Sequence, residues 1–228
     1  MSRTLNVVRL QLVNRQTYIW IPLLILGGAW VLTLVIFTMI PGGGVKFGGG
    51  AQAPLWYFMF VGIQALTMTF PFSQALSVTR REFYLGTLLT AALTSGILAS
   101  IFVIGGLVEY ATQGYGMNGY FFYIDWLWEP GWWAAWLSYF VVAMLLFVIG
   151  FWGATIYKRG GPMALTIVLV GLGAVLVGLM WLTGWMSAWG RVFGWIGAQG
   201  SLGLTLWGVL LIAVLAATSY LTLRRAIP

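Results

Sequence analysis

Cysteine and histidine are both absent from this chain of 228 residues. Their absence excludes disulfides, thiol nucleophiles, zinc sites built from Cys and His, Ser-His-Asp triads and histidine-ligated haem. Acidic residues are almost absent too: Glu82, Glu109, Asp125 and Glu129 are the whole set, a thin inventory for an enzyme. Charged residues of both signs make up 7% of the chain, against roughly 25% in an average soluble domain. A soluble domain so poor in charge would lack the polar surface to stay dissolved. What stands in its place is 61% hydrophobic residues and a mean hydropathy of +0.95. Nearly the whole chain is therefore expected to cross or line a bilayer as one domain, 1–228.

Six stretches free of charge, each longer than the roughly 20 residues a spanning helix needs, predict six transmembrane helices. They are placed near Tyr18–Ile40, Pro54–Phe70, Phe83–Val108, Trp133–Tyr157, Met163–Gly184 and Ser201–Leu223. Continuous apolar runs, rather than alternating ones, favour helices over a barrel. With six crossings, Arg3, Arg9, Arg15, Arg80, Arg81, Lys158, Arg159, Arg224 and Arg225 fall on one side, and only Lys46 and Arg191 on the other. Lys and Arg are retained in the cytoplasm, so both termini are expected inside a cytoplasmic membrane. The net charge of +7 is explained by this topology and calls for no nucleic acid. The first apolar run is too long for a cleavable signal peptide and lacks a small-residue cleavage site.

The segments between spans carry their own signals. Residues 1–16 hold three arginines and a stripe of Leu5, Val8 and Leu12, read as a helix on the inner membrane surface or a frayed tail. Pro41 to Gly50 reads as a flexible outer turn. It superficially resembles a phosphate loop, but no Gly-Lys-Ser/Thr follows. With no Walker sequence anywhere, the chain does not hydrolyse ATP by a P-loop mechanism. In the inner loop 71–82, Pro71 suits a first helical turn and Thr79 with Glu82 forms a capping box ahead of span three. Phe72 to Val78 is then a separate short helix, or an ordinary basic loop. Tryptophans 126, 128, 132, 133, 136, 181, 185, 189 and 195 gather outside, as an aromatic belt or as a stacking surface. Segment 185–200 is apolar although outside, which fits a re-entrant hairpin or a surface-lying loop.

Ala75-Leu-Ser-Val-Thr-Arg-Arg-Glu-Phe-Tyr-Leu-Gly86 resembles the permease subunits of ABC-2-type ATP-binding-cassette exporters. The general layout is also similar: a basic N-terminal helix, six spans, an apolar outer hairpin before the last span and a basic C-terminus. The long aromatic outer loop from Tyr110 to Trp132 departs from that pattern. The resemblance implies that Phe72, Ser73, Gln74, Ala75, Leu76, Ser77, Val78, Thr79, Arg80, Arg81 and Glu82 couple to an ATPase. It implies that Leu5 to Arg15 form a connecting helix. No cofactor is implied in this chain; ATP and Mg would sit on two copies of the partner ATPase. Six spans would be half of the transporter, completed by a second permease copy, identical or related, among membrane lipid.

The expected activity is export of an amphipathic drug, antimicrobial, peptide or lipid. Polar groups in spans two and three, Gln64, Thr67, Thr69, Thr90 and Thr94, are candidate pathway linings, because such groups turn toward protein or water rather than lipid. Plain bundle packing is the other reading of each. The lack of charge in the middle of any span argues against proton coupling. Alternatives to export are a non-transporting anchor or sensor, and a lipid-modifying enzyme using Asp125 and Glu129 as acid and base.

Overall fold

The computed structural model describes residues 3–41 and 43–224, apart from the side chain of Arg3. Arg225, counted above with the basic side, lies outside the described residues, as do Met1 and Ser2. The architecture is all-α. Five helices are long and apolar enough to cross a membrane: Gln16–Met39, Gly49–Ala75, Arg80–Ala111, Trp132–Trp185 and Trp189–Leu223. In chain order the regular helices are α1 (Arg3–Val13), α2 (Ile21–Met39), α3 (Gln52–Gln64), α4 (Phe70–Ala75), α5 (Arg80–Ala111), α6 (Asp125–Trp128), α7 (Trp132–Trp185) and α8 (Trp189–Leu223). π-helical turns at Gln16–Trp20 and Ala65–Thr69 lead into α2 and α4.

At 54 residues α7 would be about 80 Å long if straight, well over twice a hydrocarbon core of about 30 Å. It is not straight. Gly161 leaves the helix at φ 72° and ψ −175°, a region essentially reserved for glycine, and Pro162 opens the next helical turn. Gly200 breaks α8 in the same conformation, φ 63° and ψ −175°. The result is four helical segments: 132–160, 162–185, 189–199 and 201–223.

Hydroxyl pairs reveal how these segments lie. Ser138 and Thr205 share a hydrogen bond of 2.7 Å, and Thr155 and Thr222 one of 2.8 Å. The spacing between the two clasps is the same on both segments, so 132–160 and 201–223 run parallel, in register over about 25 Å. The chain between residues 160 and 201 therefore returns to the end from which 132–160 started. Segment 162–185 lies on that return. None of its residues is buried and most are exposed, so an apolar helix is left largely uncovered within this chain.

α5 runs antiparallel to both. Near its start the Tyr84 hydroxyl donates to the Ala216 carbonyl (2.6 Å), and farther along Trp136 Nε1 donates to Ser100 Oγ (3.0 Å). α3 crosses α7 where two glycines face each other's backbones: a Cβ on Gly62 would strike the Phe147 carbonyl, and one on Gly150 the Met59 carbonyl. Small residues are what allow helices to approach so closely without a hydrophobic drive between them.

α1 leans on the first turns of α5. Gly86 leaves room for Val7, and Gln11 Nε2 donates to Thr87 Oγ1 at 2.7 Å. The buried stripe is therefore Val7, Val8 and Gln11, with Leu5 exposed, not the expected Leu5, Val8 and Leu12. A polar residue won a core position because α5 offered it a partner, which apolar periodicity cannot register.

Candidate functional site

The basic end of the bundle is where α1 begins its contacts with α5, α4 turns into α5, segment 132–160 ends and α8 stops. The α4–α5 corner is built from short-range hydrogen bonds. Ser73, buried, donates its hydroxyl to the Phe70 carbonyl (2.7 Å), and the Val78 N–H donates to the Ser73 carbonyl (3.1 Å). Gln74 Nε2 donates to the Val78 carbonyl at 3.0 Å. Ser77 turns the chain at φ 58°. Thr79 then caps α5. Its N–H and hydroxyl both donate to Glu82 Oε2 (3.0 and 2.8 Å), and the Glu82 N–H returns a bond to Thr79 Oγ1 (3.3 Å), completing the box that the sequence predicts. Ala75 ends α4, and the exposed side chains on this corner are Phe72, Ala75, Leu76, Ser77, Thr79 and Arg81, of which Phe72, Leu76 and Arg81 are the large ones.

One feature of the corner differs from expectation. The short helix is not detached. α4 begins at Phe70, and it continues span two through the π turn at Ala65–Thr69, giving one helical run, Gly49–Ala75. Pro71, which has no N–H to donate, is accommodated where the π turn has already shifted the hydrogen-bond pattern.

Arg80 has a role that its neighbours in sequence do not announce. Its Nη1 donates to the carbonyls of Arg224 (2.7 Å) and Leu223 (3.3 Å). These carbonyls lie at the end of α8, where helical partners run out and the dipole is negative. A cation from the first turn of α5 thus closes the last turn of α8. The corner is thus joined to α8 by Arg80 and to α1 through the first turns of α5.

Comparison with family models, curated proteins and solved structures returned no match.

Two of the candidate pathway residues line separate cavities. Thr94 lines a small apolar crevice of about 40 Å³ with Tyr18 and Phe58. Thr67 lines a separate apolar groove of about 420 Å³ between α3 and the two segments of α7, beside Tyr157 and Leu165. The hydroxyls of Thr67, Thr90 and Thr94 all donate to carbonyls of their own helix turn, at 3.0, 3.0 and 2.9 Å. Gln64 and Thr69 are half-buried. Among the described residues, no three of Asp, Glu, His or Cys come together as a metal site.

At the opposite end, Glu109 organises the aromatic loop. It is fully buried. Its Oε2 accepts the N–H groups of Phe121 (3.0 Å), Phe122 (2.8 Å) and Tyr123 (2.8 Å), and its Oε1 lies 3.1 Å from the Phe121 nitrogen. Three successive backbone N–H groups wrapped on one carboxylate form an anion nest filled from within the chain. The loop that reaches it is tightly wound: Gln113, Gly114, Tyr115, Gly116 and Asn118 all have positive φ. Trp30 Nε1 donates to the Tyr115 hydroxyl at 3.2 Å. Burial pushes the Tyr115 phenol above its ordinary range, the Trp30 bond acts against this, and the neighbouring Glu109 adds to it.

The glycine-rich turn, expected to be flexible, is part of the same cap. Strand β1 (Lys46–Phe47) pairs in parallel with β2 (Gly119–Tyr120), and Asn118 Nδ2 donates to the Gly43 carbonyl at 3.1 Å. Side chains at Gly48 and Gly50 would collide with Thr33 and crowd Phe121, so these glycines serve close approach. Asp125 opens α6 and Glu129 follows it, while Trp128 between them packs on Gly106.

Proposed function

We propose that this chain is the membrane-spanning half of an exporter driven by a separate ATPase, and that the α4–α5 corner receives the force. The observation that carries this reading is the corner itself. It is a short, capped turn of chain at the basic end, presenting Phe72, Leu76 and Arg81 outward, and tied through Arg80 to the end of α8. Exposed apolar side chains beside a cation, outside the apolar part of the helices, suit docking to a soluble partner. The resemblance of residues 75–86 to ABC-2 permeases agrees with the same assignment. ATP and Mg belong to the partner, present in two copies.

The chain crosses the membrane six times, with both termini in the cytoplasm. The parallel run of 132–160 and 201–223 supports a return crossing by 162–185. The bias of arginine and lysine supports the orientation. A second permease copy covers surface that one chain leaves open, including part of the uncovered segment 162–185. Closure of the partner ATPases moves the corner, α5 and α8 together, and the pathway for an amphipathic substrate opens between the two copies.

The test is association. Phe72→Asp with Leu76→Asp places charge on exposed positions, so the bundle should still assemble while co-purification with a cassette ATPase is lost. An unchanged ATPase partnership, or no ATPase partner for the unaltered protein, overturns the proposal. Orientation is tested separately with single cysteines at Ser77 and Ser187, which should react with impermeant maleimide from opposite sides of sealed vesicles.

A further inference from the structure

Two arginines that are distant in sequence open onto one cleft at the basic end. Arg159, from the end of segment 132–160, and Arg224, just past α8, line a cavity of about 400 Å³ with Leu221 and Thr222. Both arginines are exposed. Among the described residues no carboxylate lines the cleft, and three of the four acidic side chains, Glu109, Asp125 and Glu129, stand at the other end of the helices. Like charges that share a cleft repel, so the cleft is complementary to an anion that is not part of the lining. Arginine is suited to phosphate, because its planar fork meets two oxygens at once. Apolar surface leads away from the cleft along α8, where Leu221, Val214, Leu210 and Trp207 are exposed on one side. An occupant that satisfies both parts has an anionic phosphate head and a long apolar tail.

We propose that the Arg159–Arg224 cleft binds the head group of an anionic phospholipid, whose acyl chain lies along the exposed face of α8. The site holds the lipid where α8 ends, beside the bond from Arg80 to the Arg224 carbonyl. It is independent of whether the chain exports anything.

The test uses the full chain in nanodiscs made of equal parts phosphatidylglycerol and phosphatidylcholine. Lipid retained on the protein after mild extraction is measured by mass spectrometry. Two phosphate-facing cations predict a preference for phosphatidylglycerol of about thirtyfold, lost in the Arg159→Gln/Arg224→Gln double variant. Equal retention of the two lipids, or an unchanged preference in the variant, overturns the proposal. Displacement of phosphatidylglycerol by millimolar inorganic phosphate would also overturn it, in favour of a free anion. A second measurement keeps both arginines. Leu221→Cys, the sole thiol in the chain, is labelled with bimane. Brominated phosphatidylglycerol should quench it more strongly than brominated phosphatidylcholine, and equal quenching refutes the assignment.

Discussion

Replacing Glu109 by glutamine should unfasten the cap formed by the aromatic loop while leaving the helices in place. Glutamine keeps one oxygen, which can still accept the N–H groups of Phe122 and Tyr123. Its amide places two donors where Oε1 now accepts from the Phe121 N–H, which keeps only its bond to the remaining oxygen, and all three bonds then end on a neutral group. A hydrogen bond to a charged group contributes about 1.5–3 kcal/mol and a neutral one about 0.5–1.5 kcal/mol, so each of the three bonds weakens by about 1 kcal/mol. The cap should lose about 2–4 kcal/mol against opening, which is about 30- to 1000-fold in the open population. Glu109→Ala removes every acceptor and should do at least as much. The assay is thiol reactivity in a chain with no other cysteine. Ala51, the site for Ala51→Cys, follows Gly50, the glycine that Phe121 crowds, and has 7% of its surface exposed. Labelling by impermeant maleimide reports local opening when opening and closing are fast. Glu109→Gln should accelerate it by at least tenfold with little change in global unfolding. Labelling within twofold of the unaltered rate would refute the nest as the fastener of the loop.

Gly62→Ala and Gly150→Ala should each destabilise the bundle by about 3 kcal/mol or more by forcing α3 from α7, seen as loss of monodisperse protein in detergent; an unchanged melting temperature would count against the close crossing. Gly161→Ala places a Cβ at φ 72° and should cost about 1–3 kcal/mol, read by the same melt, whereas Gly171→Ala, with open space around it, should be neutral. Thr79→Ala should remove about 1 kcal/mol by deleting the cap, with faster hydrogen exchange confined to the first turn of α5. Arg80→Ala should raise exchange at the far end of the chain, in the last turn of α8, though the two sites are 143 residues apart.

Local chemistry was legible in the sequence; distant partnership was not. The apolar runs identify the long helices because a membrane-spanning helix needs length and little else. The Thr79–Glu82 box is readable because both partners lie within four residues. The separation of 162–185 from 132–160 was suggested by Lys158 and Arg159, and the left-handed break at Gly161 lies just beyond them. By contrast, Arg80 reaching Leu223, and Glu109 reaching Phe121 to Tyr123, join residues with no shared period or motif. Glu109 could be noticed only as a lone carboxylate at the end of a span. The glycine-rich turn looked flexible because glycine has two uses, freedom and closeness, and composition does not distinguish them. The continuity of α4 with span two was hidden because a π turn carries no signature that apolar spacing would reveal.

That π turn has a consequence for how the corner is aimed. Each residue of a helix rotates its successors by about 100°, and a π turn holds one residue more than the α-helix around it needs. The turn takes up that extra residue, so the helix beyond it faces nearly as it would after an uninterrupted α-helix one residue shorter; a residue deleted elsewhere in the span, with 65–69 kept as it is, would swing everything beyond it by about 100°. Phe72 would leave the surface and Ser73 would leave the core, without any change in their identity. The direction in which the corner faces is thus a matter of counting. A single codon, lost or gained in the span outside 65–69, would turn Phe72 and Leu76 from their present direction while every side chain remained intact.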